Sequence, residues 1–197
     1  MRVTPIEAIP YGPAVFYGSL FAIFVLDKAR TSGPAPEGEI QRDEGTSQLI
    51  RRLGFLALVV AISIAYALPK ATLPLDPTVA LFAGVAVQWA GFGLVLWTTR
   101  ILGALYRPVI AVQQGHRVIR SGPYRLVRHQ MYAGGLLTDV GVGLALANVI
   151  SIVVLLGLGS YAYVRRIAAE ERLLSERLGE EYEQYARTTK RLIPFVW

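Results

Sequence analysis

The sequence predicts an all-α integral membrane bundle of about five transmembrane helices, the last two joined as a hairpin, with a C-terminal amphipathic cytosolic helix beyond them. Three observations carry that expectation. Of the 197 residues, 53% are hydrophobic and only 17% charged, where an ordinary soluble domain has roughly 45–50% and about a quarter. The apolar residues gather into runs too long for globular strands. The charges lie between those runs instead of alternating through them.

The apolar stretches occupy roughly 11–26, 53–68, 79–98, 132–147 and 149–164. Crossing a hydrocarbon core of about 30 Å takes roughly 20 helical residues. The third stretch reaches that length, and the others do so with flanking residues. The first has no basic region close before it and no small-residue cleavage site after it, so it reads as a span and not as a cleavable signal peptide. Segment 31–47 is polar and rich in Gly, Pro and acid. It reads as a flexible loop without chemistry of its own, inside a cytosolic connection over 27–52. Only Asn148 separates the fourth and fifth stretches, which predicts a tight hairpin with Asn148 at its turn. Over 165–188, Ile167, Leu174, Leu178, Tyr182 and Tyr185 fall on one stripe, the pattern of an amphipathic helix. Gly179 inside it costs about 1 kcal/mol of helix propensity relative to Ala. Pro194 ends the pattern, and Phe195-Val196-Trp197 suit a membrane interface, where Trp is favoured. There is no internal repeat, and 1–197 reads as a single membrane domain.

All of the 20 Lys and Arg except Arg2 and Lys70 lie within 27–52, within 99–131 or beyond 164. The excess of Lys and Arg on the cytoplasmic side of membrane proteins therefore puts those three segments, and the C-terminus, in the cytoplasm. That distribution accounts for the net charge of +6 without a nucleic-acid partner; the lipid bilayer is the partner instead. The absence of cysteine excludes disulfides, thiolate metal sites and a cysteine nucleophile. His116 and His129 are the only histidines and do not make a His-rich zinc site by themselves, so no metal is expected.

Polar residues concentrate in 115–132 and 165–194, which the hairpin brings together at the cytosolic end. Ser121-Gly122-Pro123-Tyr124-Arg125-x-x-Arg128-His129-x-x-Tyr132-x-Gly134 is followed by Glu170-Glu171-x-x-Leu174, Gly179-x-x-Tyr182-x-x-Tyr185 and Arg191-x-x-Pro194. This combined pattern resembles the isoprenylcysteine carboxyl methyltransferases and is similar to the related phospholipid N-methyltransferases. The resemblance covers about 100–197, the part expected to bind cofactor and carry catalysis, and the five-span layout agrees with smaller prokaryotic members. It implies a membrane methyltransferase using S-adenosyl-L-methionine and a lipophilic small-molecule or lipid acceptor, a carboxylate or an amine. Cofactor contacts are implied at His116, Ile119, Tyr124, His129, Tyr132 and Glu170, and at Gln130, which stands where the family usually has Pro. Arg166 is implied on the substrate side, as the catalytic residue.

The residue types suit those tasks. A carboxylate such as Glu170 accepts charge-assisted hydrogen bonds from ribose hydroxyls or an ammonium. Imidazoles hydrogen-bond adenine or a carboxylate, and tyrosine faces attract a sulfonium cation. Plainer readings stay open beside these. His129 can be an interfacial residue, Arg166 and Glu170 a surface ion pair, and Arg117 and Arg120 ordinary inside-positive charges touching anionic lipid. Asp139 lies inside the fourth stretch, where an ionisable residue suggests function. Gly135, Asp139, Gly143 and Ala147 also form a small-residue packing stripe, and Asp139 can bridge to a neighbouring helix through Gln88. Two other function classes remain at this point: an NADPH-dependent membrane reductase of the sterol-reductase type, and a non-catalytic membrane protein.

Overall fold

The computed structural model describes residues 4–32, 40–112 and 117–193. It is an all-α bundle. Helices α1 (Pro5–Ala8), α2 (Gly12–Thr31), α3 (Thr46–Ala67), α4 (Pro77–Leu102), α5 (Gln130–Ala145), α6 (Val149–Leu178) and α7 (Glu180–Thr188) follow in order. A two-residue antiparallel pair, β1 (Ile40–Gln41) with β2 (Ala111–Val112), links the α2–α3 and α4–α5 connections.

Among the described residues, helices α2, α3, α4 and α6 are long and apolar enough to cross a membrane, four where about five were expected. The fourth apolar stretch forms α5, whose 16 residues rise only about 24 Å. It is short because the chain enters it from the turn at 126–129 and leaves it at Leu146, both anchored by other contacts. Large side chains project from the long helices to the outside, among them Phe21, Phe55 and Val153, at 68%, 72% and 63% exposed. In a soluble protein that surface would be an aggregation hazard, whereas here it faces lipid.

Small residues let the helices approach. On one side of α5, a Cβ added to Gly134 would lie 2.8 Å from the Gly91 carbonyl oxygen of α4, and one on Gly141 would overlap the Gln88 backbone nitrogen. On its other side, Gly143 meets Ile152 and Asp139 sits against Gly159 of α6. The small-residue stripe is therefore a packing face toward α6. Gln88 takes a different partner from the one expected, accepting a hydrogen bond from Ser19 of α2 at 3.0 Å. Asp139 points instead at α6.

The hairpin turn forms at the expected residue. Asn148 caps α6 by accepting from the Ser151 backbone N–H at 3.0 Å and donates to the Leu68 carbonyl at 3.2 Å. Asp76 caps α4 in the same way, accepting from Thr78 and Val79, with Pro77 in the first turn. The tail differs from expectation: residues 165–178 are not a separate helix but continue α6 out of the apolar segment. The break falls at Gly179, whose φ of 51° suits glycine, and α7 turns away from there. Phe195-Val196-Trp197 lie outside the described residues.

Candidate functional site

At the arginine-rich end of the bundle, the α4–α5 connection, the start of α5, the polar half of α6 and α7 surround one cavity with about 940 Å³ of atom-free space, part of it open to solvent. Ile119, Tyr124, His129, Gln130, Tyr132, Arg166 and Glu170 all line it. Sequence segments as distant as Leu102 and Tyr185 thus meet at one place. His116 lies outside the described residues. Leu102, Leu105, Val109, Leu173 and Leu174 form an apolar part of the wall.

The turn that carries Tyr124 and His129 is built from both ends. Gly122–Arg125 is a 3-10 turn, and Gly122 has φ 57°, again a glycine conformation. Residues 126–129 then run beside 190–191. Lys190 N–H bonds the Leu126 carbonyl at 3.2 Å, while Arg128 and His129 N–H bond the carbonyls of Lys190 and Arg191 at 2.9 and 3.0 Å. Gln130 opens α5, and its side-chain amide donates to the carbonyls of Pro123 and Val127. The first helical position has no intrahelical use for its N–H, so proline fits there too. Gln130 supports the turn through its side chain instead of through a fixed φ.

Glu171 gathers three cations or donors behind this turn. It accepts from Arg128 Nε at 2.6 Å and from Arg191 Nε at 3.0 Å, and its Oε1 lies 3.0 Å from His129 Nε2. His129 is 4% exposed and stacks on Tyr132, which stacks in turn on Tyr163, with centroids 5.8 and 5.3 Å apart. A buried, doubly engaged imidazole is not a loose interfacial residue. Tyr185 closes the far side, donating to the Tyr124 carbonyl at 2.8 Å. Burial pushes the Tyr124 phenol well above its ordinary pKa, with the nearby Glu170 charge adding to the effect, so it stays a hydrogen-bond donor.

Arg166 and Glu170 do not form the surface ion pair that their i, i+4 spacing suggested. Arg166 is 4% exposed, and the Tyr132 hydroxyl stands between the two. It accepts from Arg166 Nε at 3.2 Å and donates to Glu170 Oε2 at 2.7 Å. The other guanidinium nitrogens donate to Asp43, Thr46, Ser47 and the Pro108 carbonyl. Asp43 is itself held by the Ser47 backbone N–H at 3.1 Å and by the Ser47 hydroxyl. Burial works against the Asp43 charge, but the Ser47 hydrogen bonds and the Arg166 charge outweigh it and hold its pKa below the usual value.

Asp43 was missed because it sits in a segment that reads as featureless polar loop. Its only sequence signal is an acidic residue shortly before a helix start. Glu171 was visible in the Glu170-Glu171 pair, but nothing in the sequence says which of the two faces the cavity. Arg120 does more than obey topology: it bonds the Glu181 carbonyl at 3.2 Å and lies over the Tyr185 ring. Among the described residues, no group of three or more His, Cys, Asp or Glu could hold a metal ion.

A cavity with one partly exposed carboxylate, stacked aromatic rings and an apolar wall can hold a polar ligand against an apolar one. Comparison with known proteins gives that chemistry a family. The model of the isoprenylcysteine carboxyl methyltransferase family matches residues 85–176, from α4 through the polar part of α6. Protein-S-isoprenylcysteine O-methyltransferase B of Arabidopsis thaliana is 27% identical over 156 residues, covering 71% of this chain and 78% of the relative. Protein-S-isoprenylcysteine O-methyltransferase A of the same plant is 30% identical over 132 residues, covering 59% of this chain and 66% of the relative. A probable protein-S-isoprenylcysteine O-methyltransferase of Oryza sativa subsp. indica is 36% identical over 87 residues, covering 44% and 46%. With the matched segment forming most of the cavity wall, the chain is a membrane methyltransferase whose similarities support the isoprenylcysteine carboxyl methyltransferase family.

Proposed function

We propose that the chain transfers a methyl group from S-adenosyl-L-methionine to a carboxylate on a lipophilic acceptor, in the cavity at the arginine-rich end and on the cytoplasmic side of the membrane. The observation that carries this reading is that cavity, where Glu170, two tyrosine rings and an apolar wall meet at the end of a membrane bundle. The plant relatives are named for O-methylation of protein-S-isoprenylcysteine. An S-isoprenylcysteine carboxylate is therefore the first acceptor to try, and a lipid amine the second.

The residues fit this methyl donor. The Glu170 side chain is 32% exposed and engages Tyr132 through one oxygen, which leaves capacity for the donor's ribose hydroxyls or ammonium. The ring of Tyr124 attracts a sulfonium by cation–π forces. His129 spends Nε2 on Glu171, and its Nδ1 lies 3.8 Å from Glu170 Oε2, beside the carboxylate offered to the ligand. Ile119 contributes apolar surface.

Bound S-adenosylmethionine supplies a methyl carbon on a good leaving group. What the chain contributes is alignment and exclusion of water. A carboxylate acceptor is ionised at neutral pH and needs no general base. Since each nitrogen of Arg166 already has a partner, Arg166 acts on this chemistry by supporting Tyr132, not as a free cation awaiting the acceptor.

The test is a titration of detergent-solubilised protein with S-adenosylhomocysteine, beside Glu170→Ala and His129→Ala. Micromolar binding, weakened at least about tenfold by each substitution (about 1.4 kcal/mol), supports the reading. Methylation of an S-isoprenylcysteine analogue then identifies the acceptor class. No binding by folded protein sinks the reading, and NADPH becomes the next ligand to try.

A further inference from the structure

We propose that Asp43 is a positioning residue for the methyl-donor site: acting through Arg166 and Tyr132, it fixes the Glu170 carboxylate at the cavity wall. The inference rests on the functional reading above. Asp43 is not among the residues that line the cavity. Its influence there has to travel through other groups.

The route is a one-way chain of donors. Arg166 is buried, and a guanidinium in that position needs an anionic partner; Asp43 is that partner. Asp43 cannot swing, because Ser47 holds it through both a backbone N–H and a hydroxyl. A guanidinium is planar and rigid. Fixing one edge on Asp43 and another nitrogen on the Pro108 carbonyl at 2.9 Å therefore fixes where Nε–H points. It points at the Tyr132 hydroxyl, 3.2 Å away. A hydroxyl has a single hydrogen, so a Tyr132 oxygen that accepts from Arg166 directs its own proton to Glu170 Oε2, 2.7 Å away. The Tyr132 ring cannot reorient, being stacked between His129 and Tyr163.

A competing route exists, since Asp43 also accepts from the Ile110 backbone and Ile110 lines the cavity. The two routes separate in a double-mutant cycle. Binding of S-adenosylhomocysteine is measured for the wild type, Asp43→Asn, Tyr132→Phe and the double variant. Loss of one buried hydrogen-bond partner predicts about tenfold weaker binding in Asp43→Asn. In the Tyr132→Phe background, where the chain is already cut, the same substitution should change binding by less than about twofold. Arg166→Lys, which keeps a positive charge opposite Asp43 but has no Nε–H, should reproduce this pattern if Asp43→Asn does not fold. Wild-type affinity in Asp43→Asn overturns the proposal, as does a full loss that recurs with Tyr132→Phe, which would make Asp43 an anchor of the 108–110 loop. Wild-type protein that is folded and binds no S-adenosylhomocysteine overturns the functional reading, and this inference with it.

Discussion

Two kinds of contact hold the helices together, and they divide along the length of α6. In its first half, the contacts are made at glycines that let the helices approach closely: Gly143 against Ile152 and Gly159 against Asp139. In its second half, the neighbours are charges: Asp43 on Arg166, Arg128 and Arg191 on Glu171, Glu44 on Arg172. The difference follows from the solvent. Lipid tails are as apolar as leucine, so burial drives nothing inside the bilayer, and close packing has to supply the cohesion. Beyond the bilayer, polar side chains can be satisfied by one another or by water, and a cavity for a polar ligand becomes affordable. The membrane half is a matter of shape; the arginine-rich end is a matter of paired charge.

Substitutions that respect one rule and violate the other sharpen this contrast. The largest effect is expected at Gly141, where a methyl group would overlap the α4 backbone. Gly141→Ala should cost about 4 kcal/mol or more, in the exceptional class for single changes, and lower the melting temperature in detergent by about 10 °C. A melting temperature within a degree or two of wild type would mean that α4 and α5 can part without consequence. Next comes Arg166→Ala, which takes the cation from the partly exposed Asp43 and should cost about 1.5–3 kcal/mol. Urea or thermal unfolding reads it, and a neutral result would show water replacing the guanidinium. The smallest effect is at Gly157, in the same apolar half of α6, where an added Cβ meets nothing within 4 Å. Gly157→Ala should leave stability unchanged or raise it by up to about 1 kcal/mol, the helix propensity difference. Destabilisation there would point to a helix contact outside this chain.

The same division explains what could be read from the sequence. Apolar runs announce membrane helices because hydropathy is local, and Asn148 announces the turn because capping is local. The pairing of 115–132 with 165–194 was legible because a short hairpin joins them. Asp43 and Arg166 are 123 positions apart, and neither carries a local mark of the other. The count of spans failed at α5 for a related reason: its last apolar residues, Leu146 and Ala147, are spent on the turn, with Ala147 at φ 47°. Where Arg166 and Glu170 were concerned, helical spacing suggested a direct pair, and only the third dimension put Tyr132 between them.

Because α6 is one uninterrupted helix of 30 residues, about 45 Å long, its lipid-facing part and the wall bearing Glu170 share a single rigid axis. A bilayer thicker or thinner than the apolar segment is accommodated by tilt or by local deformation of the lipid. Either adjustment carries Glu170 with it. The depth at which the cavity meets the headgroups is thus set by the match between this helix and the membrane around it, which makes bilayer thickness a mechanical variable of the site.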